Sequence, residues 1–275
     1  MKIAFFGNTK YSTIDARILN ERFGLALIVT KPDKPRGRNR VLTPNPVKQF
    51  SQENKIPFIT ADKLGKSVVD EIKKYNLDFL VIADYGLILP KEVLEIPKYA
   101  PVNVHHSLLP KYRGPSPAPS TILAGDTTSG VTIIKMTEDV DAGDILAQEK
   151  YQLEEDETTD SLLTKLNTLG GKLACDVIET YTEIKPKKQS AGESYTERFK
   201  KEDGFIDIEN PLDPETVDRM IRAFYPWPGV WTKFDGKIIK FLPEKKIQPE
   251  GKKPMDIKAF LNGYPQTKDF IEKIF

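Results

Sequence analysis

The strongest constraint on the fold is a rhythm of short apolar runs, separated by longer stretches, through the first two thirds of the 275 residues. The runs are rich in β-branched residues and end near Gly, Asn or Pro, which is typical of buried strands that alternate with helices. They cover residues 3–6, 25–29, 79–83, 101–106 and 130–136. This pattern predicts an α/β domain with a Rossmann-like, mostly parallel sheet, whose ligands lie at the carboxyl ends of the strands.

The rest of the chain predicts a second, smaller domain. Leucines at three- and four-residue spacing after an acidic stretch predict a helix over residues 161–181. Residues 184–200 are rich in Lys, Pro, Ser and Gly without periodicity, so we interpret them as a connection. A helix led by Pro214 and strands around Asp235-Gly236 should follow. The predicted domains are residues 1–184 and 201–275, with a linker at residues 185–200.

The composition excludes several classes of protein. Acidic and basic residues nearly cancel, with a formal net charge of +1, so a nucleic-acid surface would have to come from a local patch. The single cysteine, Cys175, falls among apolar helix positions, which indicates a core residue and a reducing compartment. The start MKIAFFGN turns polar too soon for a signal peptide, and no apolar run could span a bilayer, so we expect a cytoplasmic protein.

The clearest chemical signal is the segment VNVHHSLLPKYRGPSP, which begins at residue 102. Because alternate side chains share one face of a strand, Asn103 and His105 should point together, while His106 points the other way. An amide beside a protonated imidazole provides two hydrogen-bond donors, which is what the oxyanion on an attacked carbonyl requires. An isolated pair of this kind is more commonly structural, so the pattern needs a third group.

The loop TEDVDAGDIL, which begins at residue 137, can provide that group. One of its carboxylates, Asp139, Asp141 or Asp144, could hold a histidine in its charged form or relay a proton. Spacing alone does not choose among them, and it leaves a solvated turn or a metal site open. The first strand runs into Gly7 without the G-x-G-x-x-G spacing, which excludes a dinucleotide cofactor.

In their order and separation, Asn103-Val-His105, Ser107 to Gly114 and Asp141-Ala-Gly143 resemble the 10-formyltetrahydrofolate-dependent formyltransferases. The resemblance implies that Asn103, His105 and Asp141 form a catalytic trio. It also implies that 10-formyltetrahydrofolate donates the formyl group and that no metal takes part. The residues that it assigns to the folate are Ser107, Leu108, Leu109 and Pro110, together with Tyr85, Leu87, Ile88 and Leu89.

Other segments are similar to the branch of this family that formylates methionyl-tRNA. Residues 31–48 resemble its Arg-rich loop, and residues 85–90 and 220–232 are similar to it as well. Basic side chains in such a loop suit tRNA phosphates. The residues that we expect to contact the tRNA are Arg36, Arg38 and Arg40 in the loop and Lys245, Lys246, Lys252 and Lys253 near the end.

The chain departs from that branch in two places. Asn8-Thr9 follows Gly7 where the branch has Thr-Pro. The last domain is shorter, so we expect an abbreviated, OB-like, β-rich domain, with Trp227 and Trp231 in its core.

The sequence therefore predicts that a monomeric protein transfers the formyl group to the free amine of methionyl initiator tRNA, which gives N-formylmethionyl-tRNA for translation initiation. The main alternative is an amino-sugar N-formyltransferase, which would keep the trio and need no basic loop. Hydrolysis of the folate, with water as acceptor, and a ligand-sensing domain without activity are further alternatives.

Overall fold

The computed structural model describes residues 1–36, 41–210 and 212–275. Its strands are β1 (Ile3–Phe6), β2 (Leu25–Thr30), β3 (Lys34–Arg36), β4 (Val41–Thr43), β5 (Phe58–Thr60), β6 (Phe79–Ile82), β7 (Ala100–His105), β8 (Thr128–Lys135), β9 (Ile145–Gln152), β10 (Val230–Phe234), β11 (Lys237–Leu242), β12 (Lys246–Pro249) and β13 (Met255–Asp256). Its helices are α1 (Ser12–Phe23), α2 (Pro46–Glu53), α3 (Lys66–Lys73), α4 (Lys91–Leu94), α5 (Pro117–Leu123), α6 (Thr159–Thr180), α7 (Pro214–Ala223), α8 (Ile257–Gly263) and α9 (Lys268–Ile274).

The chain forms two compact units. The first consists of Met1–Pro115, Gly130–Tyr151 and Leu163–Tyr195. The second consists of Ser116–Ser129, Gln152–Leu162 and Thr196–Phe275.

The larger sheet has the order β5-β2-β1-β6-β7-β8-β9. The pairs from β5 to β7 are parallel, and β8 runs antiparallel to β7. The predicted α/β domain with a mostly parallel sheet is thereby confirmed, and the five predicted apolar runs fall on β1, β2, β6, β7 and β8. The pattern missed β5, which is short, and β9, whose exposed polar side chains interrupt the apolar signal.

Close packing against the sheet and against α1 explains two consecutive glycines in α6. A Cβ atom on Gly170 would lie 2.4 Å from the side chain of Val104 in β7, so the helix backbone approaches the strand where a larger residue would clash. A Cβ atom on Gly171 would lie 2.9 Å from the Ile18 side chain of α1. The helix covers the predicted range to within two residues at its start and one at its end, and Cys175 is buried as expected. Within the described ranges, no helix combines the length and apolar character that crossing a bilayer requires.

The second unit contains the predicted small β-rich domain. Strands β10 to β13 form an antiparallel sheet in chain order, and Asp235 and Gly236 make the first turn with φ angles of 47° and 73°. Both angles are positive, as a two-residue hairpin of this twist requires. Helix α7 begins as predicted, with Pro214 in its first turn and the Asp213 side chain accepting a hydrogen bond from the Thr216 amide. The prediction of two core tryptophans is wrong for Trp227, which is 60% exposed, and Trp231 is only half-buried.

Candidate active site

The end of β7 carries Asn103 and His105, as the alternation of strand side chains predicts. Asn103 pairs with Ile82 of β6 on one side and Ile134 of β8 on the other, so both residues lie in the middle of the sheet. His105 is almost completely buried. A position at the carboxyl end of a parallel strand is where α/β sheets bind ligands.

Asp141 lies in the loop between β8 and β9 and meets both residues. Its Oδ1 accepts a hydrogen bond of 3.2 Å from Asn103 Nδ2, and its Oδ2 accepts one of 2.8 Å from the Gly114 amide. The same Oδ2 lies 3.5 Å from His105 Nδ1. Of the three aspartates in the loop, Asp141 is therefore the one that contacts both the amide and the imidazole.

A close backbone approach holds this loop against β8. A Cβ atom on Gly143 would lie 1.8 Å from the Lys135 carbonyl oxygen, so any other residue here would push the loop away from the strand. The Lys135 amide donates to the Asp144 carbonyl over 2.9 Å, which fixes Asp144 through its backbone. Asp141 itself has a φ of 49°. The loop thus turns sharply at the residue whose carboxylate faces His105.

The protonation of His105 follows from its two neighbours. Its Nε2 lies 2.9 Å from the Tyr112 carbonyl oxygen, which can only accept, so Nε2 carries a proton. Burial lowers the pKa of His105, and the Asp141 carboxylate and the Tyr112 carbonyl oppose this without reversing it. The pKa of His105 thus lies below its ordinary value, and Nδ1, which faces Asp141, is the nitrogen that can take a further proton. Burial disfavours the charged form of the imidazole, so the protonated His105 that would donate to an oxyanion stays a prediction.

A family model described as formyl transferase matches residues 1–178, and one described as the formyl transferase C-terminal domain matches residues 198–245. The chain belongs to the formyltransferase family.

Individual relatives agree with this membership. A methionyl-tRNA formyltransferase from Caldicellulosiruptor saccharolyticus is 33% identical over 308 aligned residues, which cover 98% of each chain. The alignment is longer than the 275 residues of this formyltransferase, so the relative holds segments that this chain lacks.

Two solved structures share the fold. One is a methionyl-tRNA formyltransferase from Clostridium thermocellum, at a TM-score of 0.63 and 18% identity, covering 93% of this chain and 99% of that one. The other is a 4-N formyltransferase from Francisella tularensis, at a TM-score of 0.68 and 18% identity, covering 88% and 97%.

The residues assigned to the folate do not all reach a surface of this formyltransferase. Leu87 and Ile88 line a cavity of about 340 Å³, together with Pro90 and the segment from Asp62 to Gly65. The others are divided between the interior and partly covered positions. Ser107, Leu109, Tyr85 and Leu89 are buried, whereas Leu108 and Pro110 are half-buried.

Two of the buried residues in this set, Tyr85 and Ser107, make contacts inside the protein. The ring of Tyr85 packs edge-on against Phe6, and burial raises the pKa of its hydroxyl to about 12. Ser107 donates a 2.7 Å hydrogen bond to the Lys111 carbonyl, which tightens the loop after β7.

The basic residues expected at the tRNA are only partly described. Arg36 ends β3, which pairs with β4 as an antiparallel hairpin, whereas Arg38 and Arg40 lie outside the described residues. In the small domain, Lys245 lies just before β12, Lys246 is the first residue of that strand, and Lys252 and Lys253 lie between β12 and β13. These four lysines therefore lie at or beyond the two ends of one short strand, and their contact with tRNA stays a prediction.

Sequence reasoning missed the contribution of residues 184–200. Nothing in the sequence around Ser194 predicts a structural role. Its Oγ nevertheless accepts a hydrogen bond of 2.8 Å from the Tyr112 amide, and its carbonyl accepts one of 2.8 Å from the Arg113 amide. Gln189 contacts the Asp141 loop. The only sequence signal was negative, because a polar stretch without periodicity can be held in place by hydrogen bonds that no pattern reports.

Proposed function

We propose that this protein transfers the formyl group of 10-formyltetrahydrofolate to the free amine of methionyl initiator tRNA. The observation that carries the proposal is the convergence of the Asn103 amide and the His105 imidazole on the two carboxylate oxygens of Asp141. Family membership supports formyl transfer. The acceptor is supported by curated relatives that are named methionyl-tRNA formyltransferase and that align over almost the full length of both chains.

The Asn103 side chain stabilises the negative charge that forms on the formyl oxygen. The amine attacks the formyl carbon, a new carbon–nitrogen bond forms, and the formyl oxygen becomes an oxyanion. One N–H of the Asn103 amide is directed at Asp141, and the second N–H can donate to this oxyanion. Because Asp141 fixes the amide before the substrate arrives, the donor needs little reorganisation as charge develops.

His105 and Asp141 serve the proton transfer. The attacking amine must lose a proton, and neutral His105 can accept it at Nδ1. The imidazolium that forms then faces Asp141 Oδ2 at 3.5 Å, which stabilises the new charge. The tetrahedral intermediate collapses when the bond from the formyl carbon to N10 of the folate breaks. The proton passes to N10, and tetrahydrofolate leaves.

We propose that the cavity lined by Leu87 and Ile88 binds part of the folate. Its volume is in the range of small-molecule sites, and its wall combines apolar Leu64, Leu87 and Pro90 with the charged side chains of Asp62 and Lys63. An aromatic, amide-bearing ligand matches this mixture. We assign the folate to this wall and to the loop from Ser107 to Pro110.

The acceptor is tested by product analysis. Purified protein and 10-formyltetrahydrofolate would be incubated with charged initiator tRNA, with a panel of nucleotide-linked amino sugars, or with buffer alone. The proposal expects formyl-methionine on the tRNA as the main product. Formyl-sugar as the main product would establish the amino-sugar alternative, and formate released at the same rate without any acceptor would establish a hydrolase.

The tRNA contacts are tested separately by salt dependence. We propose that Arg36, Arg38, Arg40 and the lysines that flank β12 bind tRNA phosphates. The affinity should then fall steeply as salt rises, and each lost phosphate contact should reduce that slope by about one. An Arg38→Ala variant with an unchanged salt slope would remove this residue from the interface. Because the trio is intact in the variant, the chemical step should not change.

A further inference from the structure

The side chain of Gln189 connects the two loops that surround the trio. Residue 187 anchors its segment, because the backbones of Lys187 and Ile145 exchange hydrogen bonds of 2.8 and 2.9 Å at the start of β9. Two residues later, Gln189 Nε2 donates to the carbonyl oxygens of Asp141 and Gly143, over 2.7 and 2.8 Å. Both N–H groups of the amide are thereby used within the loop that carries the carboxylate.

The carbonyl oxygen of the same amide binds the loop after β7. Gln189 Oε1 accepts hydrogen bonds of 3.1 and 2.7 Å from Nε and Nη2 of Arg113. The residues on either side of Arg113 both touch the trio, since the Tyr112 carbonyl faces His105 and the Gly114 amide donates to Asp141. All four hydrogen-bonding positions of the glutamine amide are therefore occupied.

The local backbone explains why this connection matters. A non-glycine residue in the left-handed region is unfavourable by itself and persists where its surroundings hold it. Asp141 is such a residue, with a φ of 49°, and Gln189 binds the carbonyl of that same residue. A side chain that fixes this carbonyl also fixes the direction in which the Asp141 carboxylate points.

We propose that Gln189 is a positioning residue, which holds the Asp141 loop and the Arg113 loop together so that the Asp141 carboxylate faces Asn103 and His105. The inference rests on the catalytic role proposed for Asp141. Gln189 acts through Asp141 and does not itself touch the reacting atoms. Its amide is suited to the task because it donates to two carbonyls at one end and accepts from a guanidinium at the other.

Two substitutions separate the parts of this contact. Gln189→Met keeps the approximate size and neutrality of the side chain and removes all four hydrogen bonds. Gln189→Glu keeps an acceptor for Arg113 and removes both donors to the Asp141 loop. Gln152→Met is the matched control, because Gln152 Nε2 also donates to a backbone carbonyl, at 2.8 Å from Thr127, but contacts no member of the trio.

The kinetic test compares kcat and KM across these variants. Misplacing a reacting group by about 1 Å can cost about 10²-fold in rate. We therefore expect both Gln189 variants to lower kcat by about 10- to 100-fold, with the KM for the folate within about twofold and with Gln152→Met unchanged. If Gln189→Met does not fold, Gln189→Glu alone decides this arm. Values of kcat within twofold of the parent for both variants would overturn the proposal.

A second readout detects positioning without activity. The chain has two histidines, so their imidazole NMR signals can be followed individually through a pH titration. The groups that face His105 are Asp141, Asp84, His106 and the Tyr112 carbonyl, and Asp141 is the one that Gln189 holds.

A carboxylate that drifts from His105 supports its charge less, so the His105 titration in Gln189→Met should move to lower pH. An unchanged His105 titration would overturn the proposal even if kcat fell, because Gln189 would then support the fold in general without positioning the Asp141 carboxylate. If the parent protein transferred no formyl group, the proposed function would fail, while this titration would still decide the role of Gln189.

Discussion

Two histidine–aspartate pairs lie back to back at the end of β7, and they differ in what surrounds them. His105 Nδ1 is 3.5 Å from Asp141 Oδ2, and His106 Nδ1 is 3.5 Å from Asp84 Oδ1. In the first pair the carboxylate also binds the Asn103 amide. In the second it binds the hydroxyl of Thr9 at 3.1 Å. Equal distances therefore need not give equal chemistry, because the Asn103 amide, which we propose as the oxyanion donor, lies beside the first pair.

The electrostatics of the two pairs also differ. Burial raises the pKa of Asp84, but the charge and hydrogen bond of His106 and the hydroxyl of Thr9 outweigh it, so the net pKa is lowered. His106 Nε2 is buried and has no hydrogen-bond partner in the part of the chain that the structure describes. The carboxylate of the first pair also accepts from the Asn103 amide, whereas that of the second accepts from the Thr9 hydroxyl. We infer that the first pair reacts and that the second supports the strand end.

The largest effect should come from Asn103→Ala, which removes the donor that separates the two pairs. Loss of one oxyanion donor typically costs about 10²–10³ in rate. We expect kcat for formyl transfer to fall on that scale in single-turnover measurements, with an unchanged unfolding midpoint. A rate within a few-fold of the parent would erase the main difference between the pairs.

Replacing the carboxylate of the first pair should have the next largest effect. Asp141→Asn removes the charge that stabilises the imidazolium, and we expect a loss of about 10² in kcat. Asp139→Asn is the control, because it neutralises an exposed carboxylate in the same loop. Equal losses in both variants, measured at pH 7, would mean that the loop needs its charge in general and not Asp141 in particular.

The second pair should affect stability more than rate. Asp84→Asn weakens the contacts to His106 and Thr9, and leaving a buried polar group poorly paired costs about 1–3 kcal/mol. We expect a decrease of that size in the free energy of unfolding by urea, with kcat reduced less than tenfold. If kcat fell as far as in Asp141→Asn, both pairs would belong to the catalytic machinery.

The smallest effect tests the buried carboxyl group of Asp15, which lies near Asp84 of the second pair. Burial raises the pKa of Asp15 well above its ordinary value, and the nearby Asp84 carboxylate raises it further. The folded protein thus holds a proton that the unfolded chain releases, so this residue's contribution is present below pH 4 and is lost as pH rises through the folded pKa.

Asp15→Asn should therefore gain stability relative to the parent as the pH rises from 5 to 8. Urea unfolding at both pH values would measure this gain. Asp70→Asn is the control, because Asp70 is exposed on α3 and its substitution should give a difference independent of pH. A gain for Asp15→Asn that is constant or decreases with pH would contradict the assignment.

Sequence reasoning brought together the residues of the first pair but not the residues that hold them in place, and the reason is physical. Strand alternation places Asn103 and His105 on one face and His106 on the other, so a period of two already separates the two histidines. The resemblance to known formyltransferases selected Asp141 from the three aspartates of its loop. Strand alternation and the family motif are both local features of the sequence, so they can be recognised without the structure.

The support depends on contacts between residues far apart in the chain. Gln189 lies 48 residues from Asp141, in a polar stretch without periodicity, and hydrogen bonds hold it where no apolar pattern could. The Tyr112 carbonyl is a backbone group, which sequence patterns do not distinguish. Asp84 follows β6 and meets His106 only because β6 and β7 are neighbours in the sheet. Such contacts follow from the fold and cannot be read from spacing.

The most direct test of the account compares the adjacent histidines. His105→Asn and His106→Asn would be assayed side by side for single-turnover formylation of methionyl-tRNA, at saturating 10-formyltetrahydrofolate and pH 7. The account predicts a loss of about 10² or more for His105→Asn and of less than tenfold for His106→Asn. Equal losses, or a greater loss for His106→Asn, would contradict the claim that the pair beside Asn103 performs the chemistry.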